Sequence, residues 1–371
     1  MGIQTVSQAL SNENGGFSPF GFKNRIINGA MVIDQRNGGA SVTPSGSYIV
    51  DRWIYQNSQA SKVTGQQNQN SVTPPTGFTY YSGITSSSAY SLLTTDYFLY
   101  RQFIEGFNVA DLAWGTASAA TVTLSFWVRS SLTGTFGGAL NNSAQNRSYP
   151  FTYTISVANT FEYKTVTIPG DTTGTWLTTN GIGVAVGFSL GTGSTVSGTA
   201  GAWAGATYFG ATGATSVVST NAATFYITGV QLEKAPQATS FDYRDFGREL
   251  ILCQRYFERS YDYGQNTYSG EIMKGIASFG SPHVSTGAST NAMNAFMKLF
   301  LVPKRTQPTM TGYSLTDGVV GKWRRYYTGV SPADDQNVTF NQISTTGAEV
   351  SIAAGGNCNV VLGHWIANAE L

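Results

Sequence analysis

NRIINGAMVIDQR, residues 24–36, sets an Asn-Gly turn between two short apolar runs and closes on Asp-Gln-Arg. Its partner is ITGVQLEKAPQATSFDYR, residues 227–244, after which the pattern switches abruptly to a helical one over residues 245–259. A strand near the start and a VQLE strand far along the chain bracket one large β domain between them.

Inside that bracket, alternation dominates. TVTLSFWVR (121–129) is the clearest period-two strand, with Val122, Leu124, Phe126 and Val128 on one face. SYIVDRWIYQ (47–56) is apolar on both faces and reads as one central strand. Residues 98–105, 151–157, 161–168, 181–190 and 223–232 complete the set, and GIGVAVGFSL is a small-residue strand that packs closely under a neighbour. No helix follows each strand, so the arrangement is antiparallel. Two long loops remain, 65–77 and 191–219.

Composition agrees. The 371 residues are 11% charged and 13% aromatic, with 43 Gly, where an average soluble protein is about 25% charged. A net charge of +1 gives no basic stripe for nucleic acid. No apolar run approaches the ~20 residues that cross a bilayer, and the N-terminus lacks a secretory pattern. Cys253 and Cys358 have no spacing that supports a disulfide, which is compatible with folding in a reducing cytoplasm.

Beyond Pro236, the residues Phe246, Leu250, Cys253 and Phe257 recur at four, three and four, an amphipathic stripe with Asp245 at the N-cap. Seven candidate strands follow (273–279, 295–302, 309–314, 322–327, 338–343, 349–353, 359–367), enough for a second, smaller sandwich.

No catalytic constellation emerges. His283 and His364 share no metal-ligand spacing. The formal elbow match Gly187-Phe188-Ser189-Leu190-Gly191 lacks the helix that must follow, and no two acidic residues stand out as a hydrolytic pair. The chain is read as a non-enzyme without metal or cofactor. Large rings are the better lead, since sugar CH faces stack on Trp and Tyr. Trp203 and Tyr208 lead, because a Gly/Ala loop has little other use for rings; Trp176 and Trp323 follow. For each, the plainer reading is a core or inter-subunit aromatic.

NRIINGAMVIDQR resembles the opening of carbohydrate-binding-module-like jelly rolls in bacteriophage tail fibres. Asp51-Arg52-Trp53, TVTLSFWVRSS, and Gln231-Leu232-Glu233 with Cys253-Gln254-Arg255-Tyr256 match later parts of that pattern. FLVPKRTQPTMTGYS resembles a fibre-tip strand, with Lys304 where Met is usual, and GHWIANAEL resembles the closing residues. The resemblance implies a mainly β protein: an arm (1–20), a jelly-roll β-sandwich (21–243), a short linking α-helix (244–260) and a smaller C-terminal β-sandwich (261–371). It further implies a virion structural protein on the tail or capsid exterior, made in the host cytoplasm. Such a tail fibre or fibre tip is commonly a homotrimer; the lone amphipathic helix, which needs a partner for its stripe, leads to the expectation of assembly through it and the C-terminal sandwich. Its arm docks on other virion proteins, and it adheres to host-surface carbohydrate without inserting in a membrane. The rivals are a decoration or adaptor protein that recognises no receptor, and a polysaccharide depolymerase.

Overall fold

The computed structural model describes residues 22–264, 277–280, 293–327, 334–352 and 358–371. The expected arm, His283, and the first residues of the strand expected at 273–279 lie outside them.

Two antiparallel sheets face each other. One runs Ser47–Val50, Trp53–Asn57, Tyr97–Glu105, Ile182–Thr192, Gly134–Asn141, Ser148–Ile155 in spatial order. The other runs Val63–Gln67, Ser82–Ser86, Thr224–Glu233, Val122–Ser130, Glu162–Ile168. Neighbours that are far apart in sequence, such as Thr224–Glu233 between Ser82–Ser86 and Val122–Ser130, give a jelly-roll β-sandwich. Strand side chains alternate between faces, so Val122, Leu124, Phe126 and Val128 all point inward and are fully buried. Across the gap they meet Tyr100, Val186 and Phe188, with the Phe126 and Phe188 rings 4.9 Å apart and edge-on. Each such ring removed from water contributes about 1.5–3 kcal/mol.

The opening segment differs from expectation. Residues 24–36 form no regular strand, yet they do meet the closing one. Arg25 N donates to Leu232 O (2.9 Å) and Val230 N to Gly29 O (2.9 Å). The Asn24 amide explains the irregularity: its oxygen takes Ile26 N and Leu232 N, and its nitrogen donates to Val230 O. Side-chain bonds of this kind compete with a backbone ladder. Gly29 is required here, because a Cβ would stand 2.1 Å from Val230 O.

The segment 47–56 is not one strand but a hairpin, with Val50 paired to Trp53. The turn is made by Asp51 and by Arg52 at φ 70°, a conformation uncommon outside Gly and Asn. Arg52 holds it by hydrogen-bonding Phe103 O and pairing with Glu370. The first three residues of the expected loop 65–77 are sheet, since Val63–Gln67 pairs with Ser82–Ser86. Gly134–Asn141, absent from the sequence reading, is a central strand.

The helix is Phe246–Gln254, shorter than expected, with Asp245 capping it by accepting from Arg248 N (2.9 Å). Phe257 belongs instead to the strand Phe257–Arg259, paired with residues 366–368. The stripe is correspondingly narrower: Cys253 is sealed and Leu250 packs beside it against Ile27, Ile33 and Tyr256, while Phe246 is 47% exposed. Burial pushes the Cys253 thiol well above its usual range, so it is an inert packing residue.

The C-terminal part is one curled sheet. Its long strand Cys358–Asn368 takes partners on both edges: Phe257–Arg259, Ala277–Gly280, Thr309–Tyr313 and Lys322–Tyr327. Phe300, Trp323, Val350, Ile352, Val361 and Trp365 fill its core. Polar contacts fasten it to the first body: Arg255 grips Glu105 through two bonds (2.9 and 2.6 Å), and Arg36 and Arg52 converge on Glu370.

Candidate functional site

A cleft of about 170 Å³ opens where the two diagnostic segments meet. It is built from the closing strand outward. Gln231 and Glu233 are buried, and they reel the connector back. The Glu233 carboxylate accepts from Thr239 N (2.9 Å) and Thr239 Oγ1 (2.6 Å), while Gln231 Oε1 accepts from Asp242 N (2.8 Å). That places Phe241 and Tyr243 against Phe78. The three rings form a cluster with centroids 4.9–5.5 Å apart. Two glycines make room for them. A Cβ on Gly77 would lie 2.6 Å from the Tyr243 hydroxyl, and one on Gly229, at the bulge of the closing strand, 2.6 Å from Phe78.

The polar residues on the wall divide into two sets. Arg244, Asn24 and Glu249 are consumed by the fold. Arg244 donates to Asn24 O and Ile26 O and pairs with Glu249, whose carboxylate also accepts Asn28 N. Asp242 is only half engaged: Oδ2 accepts from Asn24 N (3.4 Å) and lies 3.8 Å from the Arg244 guanidinium, while Oδ1 accepts from no described residue. Tyr243 is 60% exposed, and Phe246 from the helix stands at the rim. The result is an aromatic floor with an open carboxylate oxygen and the exposed Thr79 beside it. An apolar ring face and a few fixed polar groups are what a sugar needs. The volume, below the ~300–1,000 Å³ of drug-sized sites, fits one ring.

The four residues singled out from sequence lie elsewhere, and the structure unites only two of them. Trp176 and Trp203 meet with Trp114 and Tyr149 in an edge-to-face group, 4.8–5.3 Å between centroids. Their indole N–H groups are spent on Pro169 O (from Trp203) and Thr173 O (from Trp176). The Gly/Ala loop therefore does have a use for a large ring: Trp203 anchors it, and Ser148 and Ala204 exchange two backbone bonds (3.0 and 2.8 Å) that stitch it to the sheet edge. Tyr208 lies across Gly198, where no Cβ would fit. Trp323 is 1% exposed, donates to His364 O (2.9 Å), and has Gly363 and Gly312 pressed against its ring. With no face open, Trp323 is a core residue and not a binding surface.

His364 is buried against Tyr261, rings stacked at 3.7 Å, with Nδ1 on Ser260 Oγ. Ser189 is buried strand material beside Thr192. Among the described residues no cluster of three or more His, Cys, Asp or Glu could hold a metal ion, and no helix is long and apolar enough to cross a membrane. Sequence reading missed the cleft because its rings come from connectors with no periodicity. The signal was present in the SFDYR of the closing segment.

No family model and no curated protein matches the chain. Among solved structures it is similar to the enzymatically active domain of bacteriophage CBA120 tailspike protein 4 (14% identity, TM-score 0.31), over 57% of this chain and 21% of that one. It is also similar to a sugar-binding protein from Bacteroides thetaiotaomicron (12%, TM-score 0.32, covering 57% of this chain and 100% of that one). A third is the Clostridium thermocellum family 11 carbohydrate-binding module in complex with a mixed-linked tetrasaccharide (13%, TM-score 0.26, 53% and 98%). The fold assignment rests on the sheets themselves.

Proposed function

We propose that this chain is a phage virion surface protein, a tail fibre or fibre tip, that attaches to host-surface glycan without cleaving it. The observation that carries the reading is the cleft: Phe78, Phe241 and Tyr243 present ring surface beside the unengaged Asp242 oxygen. The resemblance of the segments that build it to phage jelly rolls supports a virion setting. Binding without hydrolysis follows from the wall chemistry, since a glycosidase needs two working carboxylates and Glu249 is tied to Asn28 and Arg244.

Self-association belongs to the same reading. Phe246 and Ile251 are exposed on the helix, and Leu299, Leu301 and Val320 on the C-terminal sheet and its loops. A trimer joined through these elements would cover them, leaving the arm at 1–20 for another virion protein. Light scattering of a stable monomer at micromolar concentration would contradict the trimer.

The glycan site is tested on an array of host polysaccharides. Tyr243→Ala removes the most exposed ring, worth about 1 kcal/mol of stacking, and should weaken binding about fivefold or more. Asp242→Asn should weaken it while leaving the melting midpoint in place. If binding survives Tyr243→Ala but is lost in Tyr208→Ala or Trp203→Ala, the site lies on the 191–219 loop instead.

A further inference from the structure

Arg101 sits in the strand Tyr97–Glu105, in the six-stranded sheet, on the face turned away from the sandwich core. It is 3% exposed, yet among the described residues no carboxylate or carbonyl accepts from it. Its Nε is sealed without an acceptor. Among the described residues it meets two rings, Phe103 at 4.5 Å and Phe209 at 5.7 Å, with the Tyr97 hydroxyl close enough to favour its charge. A cation over aromatic faces gains about 0.5–2 kcal/mol, whereas withdrawing a charged group from water costs several kcal/mol. Other buried arginines also leave Nε without an acceptor but have carboxylate partners: Arg52 and Arg36 share Glu370, and Arg25 is paired with Asp111. Burial lowers the Arg101 pKa to about 10, so the group stays charged at neutral pH.

The surroundings leave room beside it. Arg101 faces Gly187 on one neighbouring strand and Ile54 on the other, and Gly187 in turn faces Ala139. A Cβ at Gly187 would come no closer than 3.5 Å to any atom, so that place is not tightly closed. Two separate covers meet here. On one side is the loop bearing Phe209, held by Phe209 N on Val196 O and by the pairing of Gly210 with Ser197. On the other, Leu371 packs over the group of Ile54, Phe103 and Ala185. Arg101 lies at the seam between them.

We propose that Arg101 is the base of an anion-binding well, separate from the Phe78–Tyr243 cleft, that takes a carboxylate such as the one carried by an acidic sugar. With Nε enclosed, the terminal nitrogens are the donors left for the two carboxylate oxygens, an end-on version of the bidentate fork that guanidinium groups favour. Phe103 and Phe209 flank the carbon skeleton behind the carboxylate. The well does not depend on a virion role for the protein.

The test uses the whole chain, titrated calorimetrically and by thermal melting with glucuronate, acetate, glucose and inorganic phosphate at matched ionic strength. Glucuronate should bind and raise the midpoint, and glucose should not. Acetate binding with lower affinity would show that the carboxylate alone is read, and would also support the well. Arg101→Met keeps the aliphatic stem and removes an unpaired buried charge. It should melt no lower than the parent and lose at least about tenfold in glucuronate affinity, the effect of deleting a charge-assisted pair. Arg101→Lys should bind with intermediate affinity. The proposal is overturned if no carboxylate binds, if phosphate binds and carboxylates do not, if Arg101→Met binds glucuronate like the parent, or if Arg101→Met melts lower.

Discussion

Lys304 stands where the fibre-tip resemblance leads one to expect Met, and the structure says what the exchange Lys304→Met should do. The Lys304 ammonium is buried and its three protons are all placed. They go to Glu258 Oε2 (2.5 Å), Gln254 O (2.5 Å) and Val302 O (2.9 Å). The Glu258 carboxylate, also buried, accepts in addition from Leu301 N (3.0 Å). Met has nearly the same length and would occupy the same channel, so the cost is electrostatic and not steric. Removing one member of a buried pair costs about 3–5 kcal/mol, because the other charge stays behind. Urea unfolding followed by tryptophan fluorescence, which reports Trp323 and Trp365 in the adjoining core, should show a loss in that range. Adding Glu258→Gln should recover at least about half of it, since a neutral amide can be left there more cheaply. A single variant that loses less than about 1 kcal/mol, or a double variant no better than the single, would refute the pairing.

Three further outcomes follow from the packing. Burial raises the Asp34 carboxyl to about 6 despite bonds from Asn37 N and Gly39 N. The folded state then holds this proton more tightly than the unfolded chain, so the group should withdraw about 2.4 kcal/mol of stability as pH climbs from 4 to 7; Asp34→Asn should flatten that slope in urea midpoints measured at each pH, and an unchanged slope would contradict the shift. Gly29→Ala forces a Cβ against Val230 O and should lower stability by about 1–3 kcal/mol, read as a fall in melting temperature. Trp203→Ala should leave the sandwich folded but speed hydrogen exchange at the Gly201 and Ala204 amides, which bond to Pro150 O and Ser148 O, while the amides of Val122–Ser130 keep their protection.

What could be read in advance was what repeats. Val122–Ser130 and Glu162–Ile168 announce themselves because side chains alternate across a sheet. Gly134–Asn141 did not, since its glycines carry no side chain to alternate. The hairpin at Asp51-Arg52 escaped notice because the turn is made by an arginine in a left-handed conformation, held by Phe103 and Glu370, and no local rule encodes a partner so distant. The helix was overextended for a similar reason: Phe257 continues the stripe in sequence, but the long strand Cys358–Asn368 claims it. Large rings in a flexible-looking loop suggested binding, whereas Trp203 turned out to hold the loop down. The aromatic cleft joins Phe78 to Phe241 and Tyr243, positions linked only through Gln231 and Glu233.

Glu370 gives the molecule an order of assembly. Arg36 and Arg52, set near the beginning of the chain, make ion pairs with a residue translated more than three hundred positions later. While the ribosome is still at work, the early sandwich must do without these two ion pairs to Glu370, and the patch around Ile54 and Phe103 stays bare of Leu371. A nascent chain halted before residue 369 should therefore be left with a half-finished first body. Loss of residues 369–371 would be felt around Arg36 and Arg52, more than three hundred positions away.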